Sequence, residues 1–338
     1  MTSAVKWRVT LCYKVSLFLL LTLPACRQGE SPYTHLEGNA QGTTFRIVYD
    51  DGQRRDFSHD VDSLFRQIDR SMSLWDPSSV ISRINRNDPN VRADEHFTKV
   101  YHASRAVSEA TGGAFDCTVG PLVKAWGFSY KKGLPPPDSL QVDSLLALIG
   151  FQKIRLEEGA LIKTDTSMEV DFNAIAQGYT VDLMAAFLEK KGVRNYLVEI
   201  GGELRTLGVN DRGKPWNIGI DKPESTPDGN ARHLQTTISL SDRSLATSGS
   251  YRKFIVRDGK KYSHAIDPAT GYPVTHKLLS VSVLAGDCTT ADAYATAFLV
   301  MGMEKALEMA AQRSLEIYCI YEDDSGALKV RATPGFGK

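Results

Sequence analysis

The segment Thr289-Thr290-Ala291-Asp292-Ala293-Tyr294-Ala295-Thr296 places a carboxylate and a hydroxyl four residues apart. On a helix, such positions share a face, so Asp292 and Thr296 would offer two hard oxygens to a cation such as Mg²⁺. Both fall in the first turns of the expected helix, whose N-terminus also favours nearby phosphate oxygens. A plainer reading is a capped helix, with Thr290 as the cap and Asp292 complementing the dipole. Taken alone, the segment favours the plainer reading.

Other segments carry residue types suited to a ligand site. Gly112-Gly113-Ala114-Phe115-Asp116 runs on to Trp126-Gly127-Phe128. Glycines there would let backbone approach a ligand, and the aromatics could lie on a planar ring. A turn with a satisfied Asp116 and a core Trp126 explains the same residues. Asp171 to Tyr179 reads equally as a site or as a helix start capped by Asn173. His264 precedes the turn-forming Asp267-Pro268-Ala269-Thr270-Gly271, and its type suits a general base, although a lone histidine is more often structural. Gly201-Gly202, following a strand, is either a backbone pocket or a bulge.

These residues need a scaffold. Apolar residues at helical spacing predict helices through Val61–Met72, Phe97–Val107 and Ser139–Ile149. Further helices are expected from about Ala174 to Lys191 and from near Thr290. A strand is expected from Thr43 to Tyr49. Short strands at Lys153–Leu156 and Leu161–Thr164 flank Glu158-Gly159, and another ends near Asp171. The second half is richer in strands: Tyr196–Ile200, Leu204–Val209, Trp216–Ile220, Leu234–Leu240, Phe254–Arg257, Leu279–Leu284 and Leu315–Tyr321. The segment Lys222–Arg232 reads as a mobile loop. Strands cluster without βαβ alternation, so the fold class is α+β, with largely antiparallel sheets flanked by helices.

The 338 residues hold 40 basic and 40 acidic side chains, a balance that gives no electrostatic footprint for nucleic acid. Lys6, Arg8 and Lys14 precede an apolar run from Val15 to Leu23, too short for a span that needs about 20 residues. That pattern predicts a secretory signal over residues 1–25, and Leu23-Pro24-Ala25-Cys26 resembles a bacterial lipobox with Cys26 as the lipidated residue. Polar residues 26–37 then read as a tether, followed by one domain over 38–332. The expected location is the cell envelope, lipid-anchored to membrane and facing the periplasm. Cys117, Cys288 and Cys319 lack metal-like spacing and read as buried.

Together and in this order, the segments resemble the ApbE family, the FAD:protein FMN transferases. The matching pieces are Gly42-Thr43-Thr44, Phe115 to Phe128, Asp171 to Tyr179, Gly201-Gly202, Trp216 to Ile220, Thr247-Ser248-Gly249, Ser263 to Gly271, and Ala291 to Thr296. The resemblance spans Gly38 to Lys329 and implies an ApbE-like fold. It implies Mg²⁺ held by Asp292, the Thr296 hydroxyl and the Ala174 carbonyl. It implies an FAD site lined by Gln41, Trp75, Ala114, Phe115, Asp116, Asp171, Gln177 and Ile266. Gln41 stands where many members have methionine, Gln177 where Lys or Glu is common, and Ala295 where some have a second acid. The implied reaction moves the FMN half of FAD to a threonine hydroxyl of an acceptor, a redox-complex subunit, and releases AMP. His264 is the candidate base. Alternatives are an FAD pyrophosphatase on the same scaffold, a non-catalytic FAD-binding lipoprotein, and a structural envelope protein.

Overall fold

In the computed structural model, residues 32–129, 135–223, 233–251, 254–257 and 260–337 are described. The expected signal, Cys26 and the tether as far as residue 31 lie outside them, as do residues 224–232 of the expected loop. Two strands, β1 (Tyr33–Ala40) and β2 (Thr43–Asp50), pair across Gln41 and Gly42. The φ values of those two residues, 52° and 75°, are the left-handed pair that a tight hairpin turn requires. Residues 33–37 were expected in the tether but belong to β1. Their polarity hides a period of two, with His35, Glu37 and Asn39 exposed and Thr34, Leu36 and Ala40 half-buried.

Helix α1 (Ser58–Met72) buries Val61, Phe65, Ile68 and Met72 on one face, as their spacing predicts. Helices α2 (Val80–Asn85), α3 (Glu95–Ala110), α4 (Gly120–Ala125) and α5 (Ser139–Leu146) follow. A small hairpin comes next, β3 (Ile154–Glu157) with β4 (Ala160–Lys163). No strand ends near Asp171. The Asn85 side-chain amide instead takes both backbone groups of Val170, each at 2.9 Å, and the Asp171 N–H reaches the Cys117 carbonyl at 2.7 Å. These bonds replace a ladder. Helix α6 (Ala176–Lys190) begins two residues later than expected.

The rest is mostly strand: β5 (Asn195–Ile200), β6 (Glu203–Leu207), β7 (Trp216–Asp221), β8 (Leu234–Leu240), β9 (Ser244–Gly249), β10 (Phe254–Arg257) and β11 (Lys260–Ser263). After β12 (Leu278–Ala285) come α7 (Cys288–Met301), α8 (Met303–Gln312), β13 (Glu316–Glu322) and β14 (Leu328–Ala332). Eight strands form one antiparallel sheet in the order β1-β2-β5-β6-β9-β12-β13-β14. The α+β expectation holds.

Alternate residues of these strands face opposite layers. Ile47, Ala246, Val281, Val283 and Ile317 join the cores beneath the helices, where α7 lies on β9 and β12 and α6 on β5 and β6. Val48, Leu245, Leu284 and Ile320 face the other way and meet Trp216, Ile218, Ile238 and Leu240 of the β7–β8 hairpin. The sheet is thus covered on both faces, and α7, buried nearly all round, is a core helix.

Candidate active site

Helices α6 and α7 meet at their N-terminal turns. The Gly178 N–H donates to Oδ2 of Asp292 at 3.0 Å, and Asp292 is 6% exposed. A Cβ on Gly178 would lie 2.7 Å from Asp292 Cβ and closer still to the Cys288 carbonyl oxygen. Only glycine permits backbones this close. One turn further along α7, the Thr296 hydroxyl lies 3.1 Å from the Ser248 hydroxyl of β9. At i and i+4 within α7, Asp292 and Thr296 share a helical face.

The capping differs from the expected arrangement. Asp287 is the N-cap of α7, accepting the Thr290 N–H at 2.8 Å and the Thr290 hydroxyl at 2.9 Å. Thr290 is a donor to the cap and not the cap itself. Asp182 of α6 accepts the N–H groups of Cys288 at 3.0 Å and Thr289 at 2.8 Å. Carboxylates thus take the first three N–H groups of α7, and its N-terminus does not present them to phosphate oxygens. Asn173 is likewise no cap. Asp171 accepts the Asn173 N–H at 2.8 Å, and α6 begins behind that turn without a side-chain cap.

Ala174 lies in the same turn, one helical turn before Gly178. Among the described residues its carbonyl accepts no backbone hydrogen bond, because the Gly178 N–H is directed at Asp292. A carboxylate, a hydroxyl and a carbonyl make an all-oxygen set, which suits Mg²⁺ better than softer metals. Among the described residues no group of three or more His, Cys, Asp and Glu side chains could hold a metal. The ligand set expected from the sequence has one such side chain, Asp292, beside a hydroxyl and a backbone oxygen.

Gln177 lies beside the turn between β5 and β6. A Cβ on Gly201 (φ 70°) would lie 2.5 Å from the Gln177 amide nitrogen and 3.1 Å from Thr43 Cγ2. Gly201 is therefore a hairpin turn residue tied to β2, its N–H donating to the Thr44 carbonyl at 3.0 Å. Beside it, Asn39 to Thr44 line a surface depression of about 540 Å³. Burial pushes the Asp69 carboxyl up, while the neighbouring Gln41 side chain pulls it down. Trp75 is 62% exposed, a large apolar face left to solvent.

Asp116 is occupied within the fold. Its oxygens accept the Thr118 N–H at 2.8 Å, the Thr118 hydroxyl at 2.6 Å and the Phe151 N–H at 2.8 Å. Burial raises both Asp116 and Asp171 above the ordinary carboxylate range, against the hydrogen bonds that lower them. Phe115 is buried in the main core, and Ala114 lies half-buried beside it.

His264 is half-buried and meets the Phe128 ring edge-on, centroids 6.4 Å apart. Ile266 packs with Leu122, Trp126, Val142 and Ile149, so it is a core residue of that segment. The main core contains Ala265, next to His264, and also Ala291 and Ala295, next to Asp292 and Thr296. Asp182 and Asp287 did not emerge from the sequence reading. For Asp287 a signal was present, an acidic residue three before Thr290, the spacing of an N-cap.

Comparison with known proteins agrees over most of the chain. The ApbE family model matches residues 41–320. The chain is 37% identical over 325 residues to an FAD:protein FMN transferase of Haemophilus influenzae, covering 92% of this chain and 93% of that one. It is 36% identical over 321 residues to one from Vibrio cholerae, covering 92% and 94%. The solved structure of flavin transferase ApbE from Vibrio cholerae matches with a TM-score of 0.80 at 34% identity, over 90% of this chain and 98% of that one.

Proposed function

The chain belongs to the ApbE family, and from that premise we propose that it transfers the FMN half of FAD, with Mg²⁺ bound, to a threonine hydroxyl of an acceptor protein and releases AMP. The observation that carries the metal-dependent reading is the approach of Gly178 to Asp292. It directs an N–H at one carboxylate oxygen and leaves the Ala174 carbonyl without its helical donor. Asp292, Thr296 and that carbonyl would hold the ion, which when bound neutralises pyrophosphate charge as a Lewis acid.

The protein's own groups do the rest. Trp75, Gln41, Gln177 and Ala114 bind and orient FAD, with Phe115, Asp116, Asp171 and Ile266 holding the segments that frame it. The acceptor threonine oxygen bonds to the FMN-side phosphorus, and its proton passes to the His264 ring. The bond to the bridging oxygen breaks, and AMP leaves with that oxygen. Such a transfer depends mainly on positioning and charge neutralisation. His264, acting in the transition state, is expected to contribute about 10²–10⁴-fold.

We extend the proposal to location. Cys26 carries lipid, and the protein sits at the envelope facing the periplasm, where subunits of membrane redox complexes are its acceptors. Fatty-acid labelling that is equal in Cys26→Ser and the parent would remove this part. The reaction itself is tested with FAD, Mg²⁺ and a threonine-bearing acceptor peptide, read by mass spectrometry. The expected product is peptide carrying FMN as a phosphoester. Free FMN and AMP with unmodified peptide, across several acceptors, would make the protein a pyrophosphatase instead.

A further inference from the structure

Asp182 lies one turn beyond Gly178 on α6, and its carboxylate accepts hydrogen bonds from Cys288, Thr289 and Arg205. Its Oδ1 accepts the Cys288 N–H at 3.0 Å and an Arg205 N–H at 3.0 Å. Its Oδ2 accepts the Thr289 N–H at 2.8 Å and the Thr289 hydroxyl at 2.6 Å. Arg205, on β6, also donates to Glu189 at 3.2 Å, which accepts the Tyr196 hydroxyl of β5 at 2.7 Å. The start of α7 is thus fastened through one carboxylate to α6 and to the sheet.

Spacing gives this fastening its meaning. Gly178 and Asp182 are four apart on α6, with Ala174 four before them. Thr289, Asp292 and Thr296 recur at i, i+3 and i+7 on α7, which is one helical face. The stripe on α6 that reaches Asp292 through Gly178 is therefore the stripe that grips Thr289 through Asp182. Two contacts fix what one leaves loose. Gly178 fixes one point of the contact between α6 and α7, and the second attachment one turn away fixes the register of the first turn of α7 against α6.

We propose that Asp182 is a positioning residue for the metal site: it holds α7 in register with α6, so that Asp292 and Thr296 face the Ala174 carbonyl. This rests on the reading of those three groups as metal ligands. Without the carboxylate, the Cys288 and Thr289 N–H groups lose their acceptor, and Arg205 keeps Glu189 but loses the link through Asp182 to α7. The first turn of α7 then keeps only its packing on Gly178 and loses the hydrogen bonds that tie it to α6. Groups that orient metal ligands typically change metal affinity 10–100-fold when removed.

The test is Mn²⁺ titration of purified protein followed by electron paramagnetic resonance, with MnCl₂ as the probe and with and without FAD. Asp182→Ala is expected to weaken Mn²⁺ binding at least tenfold while far-UV circular dichroism stays native-like. Asp182→Asn, which keeps one acceptor oxygen, should recover part of that loss. Turnover should follow the same split, with the metal concentration for half-maximal rate raised and kcat at saturating metal restored to within a few-fold. Should Asp182→Ala fail to fold, Thr289→Val removes one of the four donors and is expected to weaken Mn²⁺ binding in the same direction. Unchanged Mn²⁺ affinity in these variants, with Asp292→Asn weakened, overturns the inference alone. Unchanged affinity in Asp292→Asn as well overturns the metal reading beneath it.

Discussion

Trp126 donates its indole N–H to the carbonyl oxygen of Gly271 across 2.8 Å, joining the end of α4 to the turn that follows His264. Trp126 is 5% exposed and its ring lies against Tyr262 and Tyr272, so Trp126 is part of the packing of this segment. Trp126→Phe keeps an apolar ring and deletes the donor. A buried acceptor left without its partner costs about 1–3 kcal/mol, readable by denaturant unfolding. The same change is expected to slow flavin transfer with little effect on FAD binding, because it loosens the turn next to His264. Loss of FAD binding in proportion to rate would assign Trp126 to the flavin site instead.

Gly178→Ala brings a methyl group against the Cys288 carbonyl and Asp292 Cβ. Alanine favours a helix by about 1 kcal/mol over glycine. Overpacking of a closed contact costs about 1–3 kcal/mol and should win here, since one neighbour is backbone. Thermal unfolding is expected at a lower midpoint than in the parent. A raised midpoint would mean that the two helices separate easily.

Asp292→Asn removes a charged oxygen ligand while nearly keeping shape, and Thr296→Val removes the hydroxyl while keeping the branch. Each is expected to abolish FAD turnover with native-like circular dichroism, and chelation of the parent should do the same until Mg²⁺ is returned. Full activity of the double variant at saturating Mg²⁺ would reduce Asp292 to a partner of the Gly178 N–H.

Asp116 gives a pH dependence of stated sign. Burial raises its pKa, so the folded chain keeps a proton at pH values where the unfolded chain has released it. Its contribution to stability is full below the ordinary carboxylate pKa of about 3.9 and is lost as pH rises through the raised value. Asp116→Asn cannot ionise. The parent-minus-variant difference in unfolding free energy is therefore expected to fall with pH across that window and then level off. Asp171, raised by the same cause, is present in both proteins and cancels. Chemical unfolding at several pH values checks this. A difference that grows with pH would mean that the bonds from Thr118 and Phe151 outweigh burial.

Where local pattern and tertiary surroundings agree, the sequence was sufficient. Val61, Phe65, Ile68 and Met72 announce α1 because one face of it is core. Asp292 and Thr296 are aligned by helical spacing alone. Strand β9 was not legible: Ser244-Leu245-Ala246-Thr247-Ser248-Gly249 is small and polar with little strand preference. It is held as a strand by pairing with β6 and β12 on either side. The apolar residues before Asp171 misled in the opposite direction, since Asn85, distant in sequence, supplies the bonds a neighbouring strand would have made. Asp182 was invisible for a related reason. An acid inside a helix reads as solvent-facing until another helix end is placed against it.

The pairing of β2 with β5 has a kinetic meaning. Asp50 lies opposite Asn195, and the two are 145 positions apart. Closing so long a stretch loses chain entropy before any ladder bond repays it, and such non-local pairing slows folding. A chain emerging N-terminus first completes the β1–β2 hairpin early, yet the outer edge of β2 must wait for residues 195–200. Through that interval it is an open template for a second chain. Pulsed hydrogen exchange during refolding should show the β2 amides that face β5 protected no sooner than β5 itself, and the yield of refolding should fall as protein concentration rises.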